Sequence, residues 1–150
     1  MRAIGAHLFL STEQVVHRAL FLASTRKDEL ISVAGPDGLA AIVSLCRAGY
    51  ERVECARQAT CAGADEACDL LLIVGPMGQD ELADTLRRTA RLLRDGGCLI
   101  VQLSRAADQA VIAPMLRTLG MESPFTLVDR SAGRLVMYTV RRAALMRKAG

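Results

Sequence analysis

Five cysteines and two histidines are the side chains in this sequence best able to do chemistry by themselves. Cys55, Cys61 and Cys68 crowd one stretch, with Asp65 and Glu66 close by, so a metal site is the first chemistry to weigh. Zinc sites favour tightly paired C-x-x-C knuckles, and these cysteines are spaced more widely, with His7 and His17 far from them in the chain. The same lack of C-x-x-C speaks against a thiol–disulfide redox centre. An odd number of cysteines, mostly inside apolar segments as Cys46 and Cys98 are, fits reduced thiols packed as small hydrophobes. No metal is expected. His17 falls in the middle of a helical pattern as a boundary residue. No serine, histidine and acid arrangement and no P-loop can be traced, so no catalytic residue is nominated.

The elements that would position any site follow from periodicity. Ser11 with Gln14 reads as a capping box, and Val15, Val16, Ala19, Leu20, Leu22 and Ala23 place an apolar face on a helix over 12–25. Lys27, Asp28 and Glu29 make a polar hinge before the buried strand LISVA. The loop AGPDG leads into a helix from Leu39 to about Arg47, closed by Gly49, with Asp37 as its N-cap. RVECA is a short second strand, and LLLIV over 70–74 a third apolar run. Leu82, Leu86, Ala90 and Leu93 line the next helix, which Gly96 and Gly97 are expected to end before the strand CLIVQL. A helix over 106–119, kinked or begun late by Pro114, precedes FTLVD and RLVMYTV, which pair as an antiparallel hairpin around Ser131 and Gly133.

Near-continuous apolar strands alternating with helices predict an α/β domain. Its sheet would be mostly parallel, Rossmann-like and covered on both faces. The 150 residues form a single domain, with an N-terminal helix and hinge over 1–28 and a basic tail over 143–150. Hydrophobic residues make up 51% of the chain and aromatics 3%, so the core must be aliphatic and few platforms exist for stacking a base. The net charge of +3 permits an anionic partner without demanding one. No apolar run reaches the roughly 20 residues that span a bilayer, and the chain reads as a mature cytoplasmic protein.

Three segments in order carry a family resemblance. Cys68-Asp69 opens the strand that continues as LLLIV, Arg91-Leu92-Leu93-Arg94-Asp95-Gly96-Gly97 precedes the next strand, and Leu119-Gly120-Met121 stands before the terminal strands. The chain thereby resembles class I S-adenosylmethionine-dependent methyltransferases over about residues 29–142. Such a fold ends on an antiparallel strand tucked between its neighbours, where a plain dinucleotide-binding fold continues with parallel ones.

The resemblance implies a cofactor site after strand one, and there the chain departs from the pattern. In ISVAGPDG the family's acid falls on Ser32, its first loop glycine on Ala34 and its second on Pro36, while Gly38 keeps its place and Gly35 is offset. Proline removes a donor and fixes its own φ. If a cofactor binds, Ala34, Gly35, Asp37, Gly38 and Glu54 are the residues to hold it, Glu54 toward the ribose. Glu54 also reads simply as a solvated edge glutamate. Arg57 would suit a phosphate, yet the G-x-G-x-x-G fingerprint of nicotinamide cofactors is absent. Val74-Gly75-Pro76-Met77-Gly78 offers no base.

Between Arg57 and Cys68 there is too little chain for the usual helix, third strand and further helix. The third strand is therefore expected to be missing, leaving strand two at the sheet edge. An exposed edge needs a cover, and a homodimer or other protein partner would supply one. Arg87, Arg88, Arg91 and Arg94 stud one helix, balanced by Asp80, Glu81 and Asp84. Arg141, Arg142, Arg147 and Lys148 crowd the tail, but without aromatics or a helix-turn-helix pattern nucleic acid is not the favoured partner. Sequence alone thus favours a degenerate, non-catalytic methyltransferase-like domain that binds no cofactor and acts through protein contacts. An active S-adenosylmethionine-dependent methyltransferase with an altered loop is the first alternative, and a nucleic-acid-associated regulator the second.

Overall fold

Four α-helices and six strands alternate in a computed structural model that describes residues 12–56, 67–103, 107–121, 126–128 and 135–140. In chain order these are α1 (Thr12–Ala23), β1 (Leu30–Ala34), α2 (Gly38–Arg47), β2 (Arg52–Cys55), β3 (Cys68–Ile73) and α3 (Gln79–Thr89). After a 3-10 turn (Ala90–Leu92) come β4 (Leu93–Leu103), α4 (Ala107–Thr118), β5 (Thr126–Val128) and β6 (Leu135–Val140). The strands form one sheet in the order β2-β1-β3-β4-β6-β5. β1 to β4 run parallel, and β6 lies antiparallel between β4 and β5. The expected turn around Ser131 and Gly133 lies outside the described residues, as do Ser11 and the basic tail.

Both faces of the sheet are covered, as its continuous apolar strands require. On one face Leu30, Leu71, Ile73, Leu99, Val101 and Leu103 meet Leu82 and Leu86 of α3 and Ile112 and Leu116 of α4. On the other, Ile31, Val33, Leu70, Leu72 and Ile100 meet Val15, Val16 and Ala19 of α1 and Ala41 and Leu45 of α2. Each buried Leu, Ile or Val contributes roughly 1.5–3 kcal/mol of transfer free energy, so two aliphatic layers take the place of the missing aromatics. α2 stops where its sequence says it should. Gly49 takes φ +96°, its N–H reaches Cys46 O at 3.1 Å and the N–H of Tyr50 reaches Leu45 O at 3.2 Å, together a Schellman motif.

Two expectations change. The helix before β4 does not continue to the glycine pair: α3 ends at Thr89 and β4 already begins at Leu93. Its register with β3 jumps from Cys68↔Leu93 to Leu70↔Cys98, so the stretch between Leu93 and Cys98 bulges out of register with β3, with Gly96 at φ +83°. A side chain at Gly97 would strike Leu93 Cδ1 at 2.6 Å and Asp69 O at 3.0 Å, so this pair shapes a bulge rather than a helix stop. Arg94 consequently sits on the strand, paired to Asp69 of β3, and is not part of the helical basic row. Pro114, for its part, lies inside α4 rather than at its start. No strand is described between β2 and β3, and among the described residues β2 is the sheet edge, with residues 57–66 outside them.

Candidate functional site

Sheet order reverses at β1. The chain steps outward from β1 to β2 and then crosses back to β3 on the other side, and open α/β sheets bind ligands at the carboxyl ends of strands beside such a switch point. Two loops meet there, one after β1 (Gly35 to Asp37) and one after β3 (Val74 to Gly78). They are locked together by backbone. The N–H of Val74 reaches Ala34 O at 3.0 Å, and the N–H of Asp37 reaches Val74 O at 3.2 Å.

That approach explains the glycines. Gly35 has φ +102°, and a Cβ on it would lie 2.2 Å from Val74 O. Gly75 has φ +110°, and its Cβ would lie 2.8 Å from the Asp37 nitrogen and 3.0 Å from Pro36 Cδ. Pro36, a residue foreign to the family pattern, therefore packs against the second loop instead of leaving a gap.

On the β2 side of these loops opens a cleft of about 250 Å³, lined at its floor by Ala34, Gly35, Gly38, Cys55 and Ala56 and on its walls by Leu39, Thr85 and Arg88. The volume lies just under the usual range for small-ligand pockets. At Gly38 a Cβ would meet only Val33 Cγ1, at an ordinary 3.6 Å. Ala56 is fixed by its N–H on Val33 O at 2.8 Å. Arg88 at the rim pairs with Asp84 at 3.1 Å, both half exposed, an i,i+4 pair of little energetic weight.

The residues nominated from sequence divide into two groups. Ala34, Gly35 and Gly38 line the cleft. Asp37 does not: it occupies the N-cap position of α2 without capping it, and its Oδ2 accepts a long 3.5 Å hydrogen bond from Thr12 Oγ1. Glu54 also lies outside the cleft lining. Directly across from Ser32 in the register, its Oε2 accepts the Ser32 hydroxyl at 3.0 Å. Ser32 is fully buried, so this pairing satisfies a hydroxyl that stands where the family pattern has an acid.

Sequence reasoning missed Gln102. It is 8% exposed, and its Oε1 accepts the N–H of Gly75 at 2.9 Å, tying β4 to the loop after β3. The available signal was an amide in the otherwise apolar strand CLIVQL. Of the described cysteines, Cys46 and Cys55 are exposed, Cys98 is partly buried and Cys68 buried, while Cys61, Asp65 and Glu66 lie outside the described residues. Among the described residues no three His, Cys, Asp or Glu side chains gather, and no helix is long and apolar enough to cross a membrane.

No family model and no curated protein matches the chain. Solved structures do. A precorrin-6y C5,15-methyltransferase from Geobacter metallireducens superposes with a TM-score of 0.60 at 11% identity, over 85% of this chain and 86% of the other. A methyltransferase from Pyrococcus furiosus gives 0.57 at 14% identity, over 86% and 83%. A SAM-dependent O-methyltransferase from Thermotoga maritima gives 0.59 at 14% identity, over 85% of this chain and 64% of that one. The chain has the class I S-adenosylmethionine-dependent methyltransferase fold.

Proposed function

We propose that this chain binds S-adenosylmethionine at the carboxyl ends of β1 and β2 and serves as a methyltransferase. The observation that carries the reading is the cleft floored by Ala34, Gly35 and Gly38 at the switch point. Three of the five residues nominated for a cofactor converge there. The solved structures of like fold support it, since those compared above are named as methyltransferases. They favour the catalytic alternative over the non-catalytic domain that the eroded loop suggested, and they lend nothing to the expectation that no cofactor binds.

The fit is good on the apolar side of the cofactor and altered on the polar side. Small residues at 34, 35, 38 and 56 leave room for an adenosyl group, and Leu39 gives it an apolar wall. The ribose hydroxyls find no carboxylate among the described cleft residues, because Glu54 is turned to Ser32. Bound there, S-adenosylmethionine supplies a methyl group activated on a sulfonium sulfur. The protein's own task is then to place an acceptor in line with that methyl and to exclude water. Among the described residues the loop after β3 presents no base, so an acceptor that needs no deprotonation by that loop suits this site best.

Titration calorimetry with S-adenosylmethionine and S-adenosylhomocysteine tests the reading. Saturable binding at micromolar affinity is expected for both. No heat with either ligand at millimolar concentration, from protein with an intact thermal transition, would return the chain to a non-catalytic role.

A further inference from the structure

Among the described residues β2 ends the sheet, and only its inner side is paired. The N–H of Ala56 reaches Val33 O at 2.8 Å, so the backbone groups of Glu54 and Arg52, in the same alternating phase, also face β1. The N–H and C=O of Val53 and Cys55 therefore point outward, where no described strand meets them. Such an edge is a template for another strand, and native proteins blunt it with charge, bulges or proline. β2 has no proline and no bulge in its pairing with β1. Its charges do not form a repelling row either. Arg52 and Glu54 are exposed, opposite in sign and two residues apart, so they stand on one face of the strand. The hydrogen bond from Ser32 to Glu54 fixes that face, and Val53 turns to the other, against the α1 and α2 side of the core.

We propose that β2 is the interface between two copies of this chain, pairing antiparallel with its own counterpart about a twofold axis through Val53. A twofold contact is self-complementary, so the charges choose among the possible centres. Centred on Arg52 or on Glu54, the strands would set like charges directly opposite each other, which is destabilising. Centred on Cys55, they would set Glu54 against Ala56 of the partner subunit, with no charge to meet. Centred on Val53, Arg52 lies opposite Glu54 of the partner subunit and Glu54 opposite Arg52 of the partner subunit, two ion pairs from one axis. The backbone agrees with that centre. Val53 then exchanges two hydrogen bonds with Val53 of the partner subunit through its outward groups, and the flanking pairs are the non-hydrogen-bonded kind, in which side chains come closest. Glu54 can serve both neighbours, since one oxygen accepts the Ser32 hydroxyl and its carboxylate has no ion pair among the described residues. A strand of four residues makes a small contact, which suits a weak, reversible dimer. This pairing stands independently of any ligand in the cleft.

Sedimentation velocity of the full chain over a series from about 1 µM to 1 mM tests the pairing, beside Arg52→Glu and Glu54→Arg. The full chain is expected to pass from monomer to dimer within that range. Each single reversal sets like charges opposite each other twice and is expected to raise the dissociation constant by about tenfold or more. An equimolar mixture of the two variants is expected to dimerise as the full chain does, because each then carries the charges that answer the other. Glu54→Arg removes the acceptor of the buried Ser32 hydroxyl. Should that variant lose its thermal transition, Arg52→Glu, which keeps the bond, decides by itself. A full chain that stays monomeric throughout overturns the proposal, and so does an Arg52→Glu chain that dimerises as readily as the full chain. A mixture of the two folded variants that stays monomeric overturns it as well.

Discussion

Gly35 and Gly78 occupy neighbouring loops at the switch point and have opposite tolerances. At Gly35 a methyl group would be driven into Val74 O from a backbone at φ +102°, whereas at Gly78 nothing lies within 4 Å. Gly35→Ala is therefore expected to cost more than about 2 kcal/mol, from backbone strain and overpacking together. Gly78→Ala should stay within about 0.5 kcal/mol, and urea midpoints of the two variants distinguish them. Cys68 offers a test of a different kind. Burial pushes its thiol from 9.0 up to about 11, against the opposing pull of its contact with Ser32. Below about pH 9 both the folded and the unfolded chain hold this proton. Between about 9 and 11 only the unfolded chain gives it up, so stability falls as pH rises through that window, by about 1.4 kcal/mol per pH unit from this group. In Cys68→Ala that part of the slope should vanish, and in the native protein iodoacetamide should label Cys46 and Cys55 well before Cys68. Single residues were unevenly legible. Gly35 and Gly38 could be placed because a strand-to-helix loop has few geometries. Glu54 could not, because which face it takes depends on the register with Ser32, and a single strand of sequence does not contain its neighbour.

The start of β4 shows what element-level reading captures and where it stops. The helix, the glycine pair and the strand were each visible, but their junction was drawn at Gly96 when the backbone turns extended at Leu93. Periodicity could not separate the two, because Leu93 is buried in either description and only the pairing with β3 makes residues 93–97 a bulged strand. Asp69 is what pins that pairing. Its Oδ2 accepts the N–H of Leu30 at 2.9 Å while its Oδ1 meets Arg94, so one carboxylate links β1, β3 and β4 at their amino ends. The two contacts differ in weight. The Arg94 pair is partly exposed, at 44% for the arginine and 24% for the aspartate, and such pairs are worth at most about 1 kcal/mol. The Leu30 N–H is partly buried, and leaving it unpaired costs about 1–3 kcal/mol. Asp69→Asn, which can keep the acceptor and loses the charge, is expected to be nearly neutral, and Asp69→Ala to lower stability by about 1–3 kcal/mol. Chemical denaturation of both separates the hydrogen bond from the ion pair. Equal losses would show that the charge, not the acceptor, holds the three strands.

At the scale of the whole molecule the parallel α/β architecture was legible because every buried strand is an apolar run and every crossover has length for a helix, except after β2. The switch point was not, because it depends on strand order, which the sheet decides collectively. That order brings the loops after β1 and β3 into backbone contact and makes them a joint between the two halves of the sheet. A ligand held in the cleft beside this joint adds to the free energy that separates the folded chain from the unfolded one. With ligand at about one hundred times its dissociation constant the gain is about 2.7 kcal/mol. In a domain of this length each kcal/mol moves the midpoint by roughly 2–4 °C, so S-adenosylhomocysteine is expected to raise the melting temperature by about 5–10 °C. Under the same conditions NADPH should leave it unchanged, since the glycine fingerprint for a pyrophosphate is missing from the β1 loop. A shift with NADPH and none with S-adenosylhomocysteine would mean that the joint grips a phosphate, and the methyl-donor reading would fall with it.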